Sequence, residues 1–275
     1  MFAMAESSPA PIITASIVDT ITAAADRLER AAATGVACAP VRDLIGADDI
    51  ASAYAVQQQL TSARLRSGAT IVGRKIGLTS AAVQAQLGVD QPDFGVLFDD
   101  MAYAPGSVVP ADAVLQPRVE AEIAFVLAAD LADGPLDADQ VRAAIDYAVP
   151  ALEICGSRVA GWDIRFADTV ADNASSGAFV LGATRKTLRE FDPAAVAMRM
   201  TVTGSDESTG SGAACLGDPI DAVVWLAHKA REFGEPLRAG QVILSGALGP
   251  MRPVQRGGAA HASISGLGDV AVRFA

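Results

Sequence analysis

Apolar residues recur at helical spacing early in the chain and at every second position in several later runs. Between Val18 and Thr34, the residues Ile21, Ala24, Ala25, Leu28 and Ala32 share one helical face, and Gly35 suits the stop. A second helix is predicted from a cap at Asp48 or Asp49. Its stripe is Ile50, Ala53, Val56, Leu60 and Ala63, and Gly68 ends it. A short third helix fits residues 81–87. From about residue 94 short apolar runs broken by Gly, Pro and Asp take over: FGVLFDD, SVVP, VEAEIAFVL, AFVLGA, VAMRMTVTG, QVILSGA and DVAVRFA. Several alternate with period two, as strands do. Two helices interrupt them. One is predicted from Asp139 to Tyr147. The other has Asp218 as N-cap, Pro219 in the first turn and Gly234 as stop. Strand runs with few intervening helices predict an α+β fold and not a doubly wound sheet. The organisation read from this is a flexible leader over 1–16, a small helical N-terminal region over 17–75, and a β-rich domain over 76–275.

Composition narrows the classes. The chain has 275 residues, 51% hydrophobic and 19% charged, which is enough apolar material for a sizeable core and excludes overall disorder. A net charge of −11 repels phosphate backbones and anionic lipid, so neither nucleic acid nor a membrane surface is an expected partner. The N-terminus has no basic stretch and carries Glu6 and two prolines, unlike a signal peptide, and no uncharged apolar run approaches membrane-spanning length. Cys38, Cys155 and Cys215 are too scattered for a zinc motif or a disulfide framework, and a reducing cytoplasm is expected. There are only two histidines, His228 and His261, which excludes a histidine-rich metal site. Three lysines stand against eighteen arginines, so a lysine in an apolar segment stands out.

Candidate chemistry centres on the segment PRVEAEIAFVL, 117–127. As a strand it turns Val119, Ala121, Ile123, Phe125 and Leu127 one way and Arg118, Glu120, Glu122 and Ala124 the other. Residues two apart lie about 6.6 Å apart along a strand. Two carboxylates at that spacing can converge on one hard cation, and Ala124 beside them leaves room for a ligand. The same pattern also fits a solvated strand face, and on the residues alone both readings stand. Glu153 lies in the apolar run VPALEI, where a charge is costly to bury unless paired or metal-bound. Three carboxylates with so few histidines favour Mg²⁺ or Mn²⁺ over zinc. Lys75, in TIVGRKIGL, is either a surface lysine at a strand end or a buried ammonium whose proton affinity has fallen far enough for acid–base work. Asp93, in QPDFG, reads as a turn aspartate. Ser175, in ADNASSG, reads as a loop filler or a donor to a bound anion. No nucleophile-elbow, phosphate-loop or dinucleotide pattern is present. His228, on the last predicted helix, and Cys155 and Cys215 read as packing or structural residues.

Taken in order, GRKIGLTS (73–80), VDQPDFGVLFDDM (89–101), LQPRVEAEIAFVL (115–127), PALEI (150–154), DTVADNASSG (168–177), GAACLGDP (212–219) and LSGALGPM (244–251) closely resemble the 2-keto-4-pentenoate hydratase family of the fumarylacetoacetate hydrolase superfamily. The resemblance spans about residues 48–275. It implies a β-rich catalytic domain of mixed sheets forming a roll or barrel. It also implies a divalent metal at Glu120, Glu122 and Glu153, acid–base roles at Lys75 and Asp93, substrate contact at Ser175, and a homo-oligomer, often a pentamer or decamer. Of these, strand spacing independently supports only the Glu120–Glu122 pair.

The implied reaction hydrates 2-hydroxypenta-2,4-dienoate to 4-hydroxy-2-oxopentanoate, late in meta-cleavage degradation of aromatic compounds. The alternatives are 4-oxalocrotonate decarboxylation on the same scaffold, hydration of longer dioates, and C–C bond hydrolysis. A non-catalytic subunit that stabilises a partner enzyme is the reading of a different class; it has no need of the three glutamates and Lys75.

Overall fold

The structure, a computed structural model, describes residues 15–80, 84, 89–110 and 112–275. The leader expected over 1–16 lies outside them up to residue 14, and so does the short helix expected over 81–87, apart from Gln84.

Helices α1 (Ala15–Thr34), α2 (Arg42–Ile45) and α3 (Ile50–Arg66) come first. Helix α3 starts where its cap was expected: the Asp49 carboxylate accepts the backbone N–H of Ser52 at 2.9 Å. Its buried face is Ser52, Ala53, Tyr54, Val56, Gln57 and Thr61; of the predicted stripe Ala53 and Val56 are fully buried, and Ile50, Leu60 and Ala63 are half-buried. Gln57 is tolerated there because its Nε2 donates to the carbonyls of Phe94 (3.0 Å) and Val170 (2.9 Å).

Then come β1 (Ile71–Gly77), β2 (Asp93–Phe98), β3 (Ala102–Tyr103), β4 (Val108–Val109) and β5 (Arg118–Leu127). They are followed by α4 (Ala138–Ala144), β6 (Ile145–Cys155), α5 (Phe166–Ala171) and β7 (Ala178–Leu181). The remaining elements are β8 (Ala197–Val202), β9 (Ser208–Ser211), α6 (Pro219–Glu232), β10 (Val242–Leu244), β11 (Arg252–Pro253), β12 (Ala259–Ile264) and β13 (Gly268–Phe274). The expected boundary between residues 75 and 76 falls inside β1.

One prediction fails here. The helix expected to reach Tyr147 stops at Ala144, and Ile145 opens β6. Leu127 pairs with Ile145, Val126 with Tyr147 and Phe125 with Ala148, so pairing with β5 overrides the local helical pattern.

Two mixed sheets result. The larger runs β2-β1-β10-β5-β6-β7-β3 with β11 also on β5; the smaller runs β4-β13-β12-β8-β9. The β1–β10, β3–β7 and β4–β13 pairs are parallel. Strands β8 and β12 alternate buried and exposed residues, as one-face-solvated strands do. Strands β5 and β6 are buried almost throughout, because both their faces are covered. On one face Val119, Ala121, Ile123, Phe125, Leu152 and Ile154 join Met198, Met200, Ala262 and Val270 of the smaller sheet in the main core. Each large side chain buried there contributes roughly 1.5–3 kcal/mol. Ala124, on the other face, packs with Leu97, Phe98, Val149, Ala151, Phe179 and Leu244, so it fills a second apolar cluster and does not open the ligand space expected of it. No helix among the described residues is long and apolar enough to cross a membrane.

Candidate active site

Residues opposed in neighbouring strands project to one face of a sheet. In the larger sheet Glu120 opposes Glu153, and Glu122 opposes Ala151 two residues away. Lys75 opposes Leu244 on one side and Gly95 on the other, and Gly77 opposes Asp93. Lys75, Asp93, Glu120, Glu122 and Glu153 therefore share the face that carries the second apolar cluster, and all five are buried. The solvated reading of the Glu-x-Glu strand is excluded: Glu122 has no exposed surface and Glu120 is 6% exposed.

Lys75 joins these strands to a loop. Its Nζ lies 3.2 Å from Glu153 Oε1 and donates to the Ala174 carbonyl at 2.8 Å. That loop is strained. Asn173, Ala174 and Ser175 have φ of 54°, 51° and 54°, three successive non-glycine residues in the left-handed region. Such a conformation costs roughly 1–2 kcal/mol per residue, so other bonds must hold it. The Asn173 side chain spans both backbone groups of Val96, accepting from its N–H at 2.7 Å and donating to its carbonyl at 2.9 Å. Gly156 N–H donates to the Ser175 carbonyl at 2.8 Å. A side chain at Gly95 would strike the Asn173 carbonyl, so glycine is needed for β2 to approach this loop.

The strain places Ser175 in a hydroxyl chain. Ser175 Oγ is 3.1 Å from Thr169 Oγ1, and Thr169 donates to Asp93 Oδ2 at 3.4 Å. Asp93 Oδ1 lies against Gly77, where any Cβ would collide with it. Two further anchors hold the loop from behind. Asp168 accepts from the N–H groups of Val41, Arg42 and Arg165 and from the Arg42 guanidinium. Asp172 is buried against Arg158.

Electrostatics set the protonation states. Burial, then the neighbouring Glu153 and Glu120 charges, hold the Glu122 carboxyl well above its ordinary value. Burial likewise lifts Glu153 to about 7, against the pull of Lys75. Asp93 is raised by burial, with Lys75 and Thr169 opposing. Burial also works against the Lys75 charge, but Glu153, Cys155, Asp93 and Glu120 outweigh it and hold the ammonium well above its ordinary range. Of the two readings of Lys75, the surface lysine is excluded by its burial, and the loss of proton affinity that burial alone would bring is reversed, because its surroundings are anionic and not merely apolar.

Four carboxyl groups face one ammonium, and Glu120 and Glu153 stand directly opposite each other, an arrangement that is unfavourable for like charges. Glu122 Oε2 accepts from the Gly246 N–H at 2.7 Å. Asp93 Oδ1, Glu122 Oε1 and Glu153 Oε2, all buried, accept no hydrogen bond. Orphaned hard-oxygen acceptors among like charges suit a divalent cation. Ligand atoms of Glu120, Glu153 and Cys155 all lie within 4.8 Å of one another, the closest metal-competent grouping among the described residues; Glu122 stands beside it.

Sequence reasoning brought forward Lys75, Asp93, Ser175 and the three glutamates, and the fold gathers all six around one locus. It missed Thr169, Asn173 and Cys155. Thr169 and Asn173 sit in the DTVADN stretch, and Cys155 follows Glu153 at strand spacing, which was a usable signal. A cavity of about 520 Å³ lies elsewhere, among α1, α3, the Phe98–Met101 turn and the 173–177 loop, and none of the six lines it.

The family model described as fumarylacetoacetate (FAA) hydrolase C-terminal matches residues 70–275. A "TodF product hydratase" of Pseudomonas putida is 55% identical over 252 residues, 92% of this chain and 94% of that one. A 2-keto-4-pentenoate hydratase of Paraburkholderia xenovorans is 51% identical over 251 residues, 91% and 93% of the two chains. Among solved structures, 4-oxalocrotonate decarboxylase from Pseudomonas putida G7, complexed with magnesium and adipate, superposes with a TM-score of 0.89 at 34% identity, covering 94% of this chain and 98% of that one.

Proposed function

This chain belongs to the 2-keto-4-pentenoate hydratase family of the fumarylacetoacetate hydrolases, and from that premise we propose that it is a metal-dependent hydro-lyase converting 2-hydroxypenta-2,4-dienoate to 4-hydroxy-2-oxopentanoate in meta-cleavage degradation of aromatic compounds. The observation that carries the reading is the convergence of Lys75, Asp93 and three buried glutamates on one sheet face beside orphaned carboxylate oxygens.

Glu120, Glu122 and Glu153 would hold the ion. When bound, a divalent ion supplies Lewis-acid polarisation of a 2-oxo acid. Overall, the O2 hydroxyl proton leaves and a proton arrives at C5, giving 2-oxopent-3-enoate; water then adds its oxygen at C4 and a proton at C3. Lys75, held as an ammonium by Glu153, is suited to donate a hydrogen bond to anionic substrate oxygen. Asp93 is suited to exchange the protons: its carboxyl is raised by burial, and Oδ1 has no other partner. Thr169 orients Asp93 through Oδ2, and Ser175, linked to Thr169, offers a hydroxyl to the substrate. The ion is read as Mg²⁺ or Mn²⁺, supported by the all-oxygen glutamate set and by the magnesium and calcium ions in the two decarboxylase structures. Family resemblance supports a cytoplasmic homo-oligomer of five or ten copies.

A decarboxylase reading has support in the close superposition on 4-oxalocrotonate decarboxylase, against higher identity to the hydratases. The deciding experiment supplies 2-hydroxypenta-2,4-dienoate and 2-oxohex-3-enedioate separately with Mg²⁺ and follows products by mass. Gain of one water on the first is expected. Loss of CO₂ from the second without hydration of the first would assign the decarboxylase, and no turnover of any 2-hydroxydienoate would assign a non-catalytic subunit.

A further inference from the structure

Cys155 is a soft donor among hard ones at this locus. It ends β6, two residues beyond Glu153 and opposite Arg118, so its side chain shares the face of Glu120 and Glu153. It is buried, and its Sγ stands 3.6 Å from Glu120 Oε1. A zinc-type ion makes bonds of about 2.3 Å to sulfur and about 2.0–2.2 Å to oxygen; at a tetrahedral angle these put S and O about 3.6 Å apart. The Cys155 thiol donates a hydrogen bond to Glu120 across this distance, and the same spacing would serve two ligands of one ion once the thiol proton has left. Glu153 supplies the third donor within 4.8 Å, and its Oε2 is buried with no hydrogen-bond partner.

Ligand softness then separates the ions. Mg²⁺ takes oxygen and keeps water, whereas Co²⁺ and Zn²⁺ accept sulfur readily. We propose that Cys155 is a sulfur ligand in this centre: thiophilic divalent ions are held through Glu120, Glu153 and Cys155, while Mg²⁺ is held by the carboxylates alone. On ligation the S–H bond is exchanged for a sulfur–metal bond and the proton passes to water; no electrons are transferred. The consequence is a centre that thiophilic ions occupy in competition with Mg²⁺. This rests on reading the carboxylate cluster as a cation site.

The test uses the full chain stripped with EDTA. Co²⁺ is titrated in while the near-ultraviolet sulfur-to-cobalt charge-transfer band is recorded, and Co²⁺, Zn²⁺ and Mg²⁺ affinities are measured by calorimetry. The same is done for Cys155→Ser and, should that variant fold poorly, Cys155→Ala. The wild-type protein is expected to show the band. The variants should lose it, bind Co²⁺ and Zn²⁺ at least about tenfold more weakly, and keep Mg²⁺ affinity within about twofold. Cobalt binding without the band, or a band that survives in the variants, overturns the sulfur ligand and leaves the cation site standing. Failure of the wild-type protein to bind any of the three ions overturns both.

Discussion

Glu120 and Glu153 face each other across the β5–β6 pair, both buried, with Lys75, among the described residues, the one ammonium beside them. In water two such side chains would repel only weakly. Removed from water, each needs a positive partner, and one ammonium does not neutralise three glutamates and Asp93.

Metal removal is therefore expected to destabilise the protein. EDTA-treated protein should melt below the Mg²⁺-loaded form, and excess Mg²⁺ should restore the difference. A ligand at a hundred times its Kd stabilises by about 2.7 kcal/mol. Glu122→Ala should retain a folded circular dichroism spectrum yet lose both this stabilisation and metal-dependent turnover. Full activity of that variant in metal-free buffer would remove Glu122 from the ligand set.

Lys75→Ala should lower kcat by about 10²–10⁴-fold, with a much smaller change in metal affinity measured by calorimetry. The variant loses both the ion pair to Glu153 and the bond to the Ala174 carbonyl. Near-normal rates would return Lys75 to a purely structural role.

For the metal-free protein the pH dependence has a definite sign. Glu153 is lifted from an ordinary 4.5 to about 7, so between those values the folded state binds more protons than the unfolded chain. Stability from this group is full below about pH 4.5 and is lost as pH rises through about 7. Asp93 and Glu122, also raised, act in the same direction. Thermal melts in EDTA should give a lower Tm at pH 8 than at pH 5.5. Saturating Mg²⁺ should flatten or reverse that slope, because ligation requires the deprotonated carboxylates. A metal-free Tm that rises from pH 5.5 to 8 would contradict the assignment.

Thr169 is expected to act through Asp93. Thr169→Val keeps the shape but removes the hydroxyl from both Asp93 Oδ2 and Ser175 Oγ. We expect kcat to fall about 10–100-fold with a shifted pH–rate profile, and Thr169→Ser to recover most of it. Near-normal activity in Thr169→Val with a loss in Thr169→Ser would mean that the methyl group, and not the hydroxyl, matters.

Much of this was legible in the chain itself. Strand periodicity put Glu120 and Glu122 on one face, because side chains alternate whatever the surroundings. The Asp49 and Asp218 caps marked two helix starts, because capping needs only a few neighbouring residues. The ordered motifs carried the family. Other features were decided only by the tertiary structure. Whether Glu-x-Glu faced solvent depended on a second layer covering β5, which periodicity cannot report. The opposition of Glu120 to Glu153 depends on strand register across more than thirty residues. The helix predicted through Tyr147 gave way to β6 because long-range pairing outweighed local propensity. The left-handed run Asn173–Ser175 looks in sequence like a small polar loop; it persists because Val96, Lys75 and Gly156 hold it from three distant segments. Local alternation and capping are short-range physics and can be read from order alone, whereas burial, register and the protonation of Lys75 arise from groups that only the fold brings together.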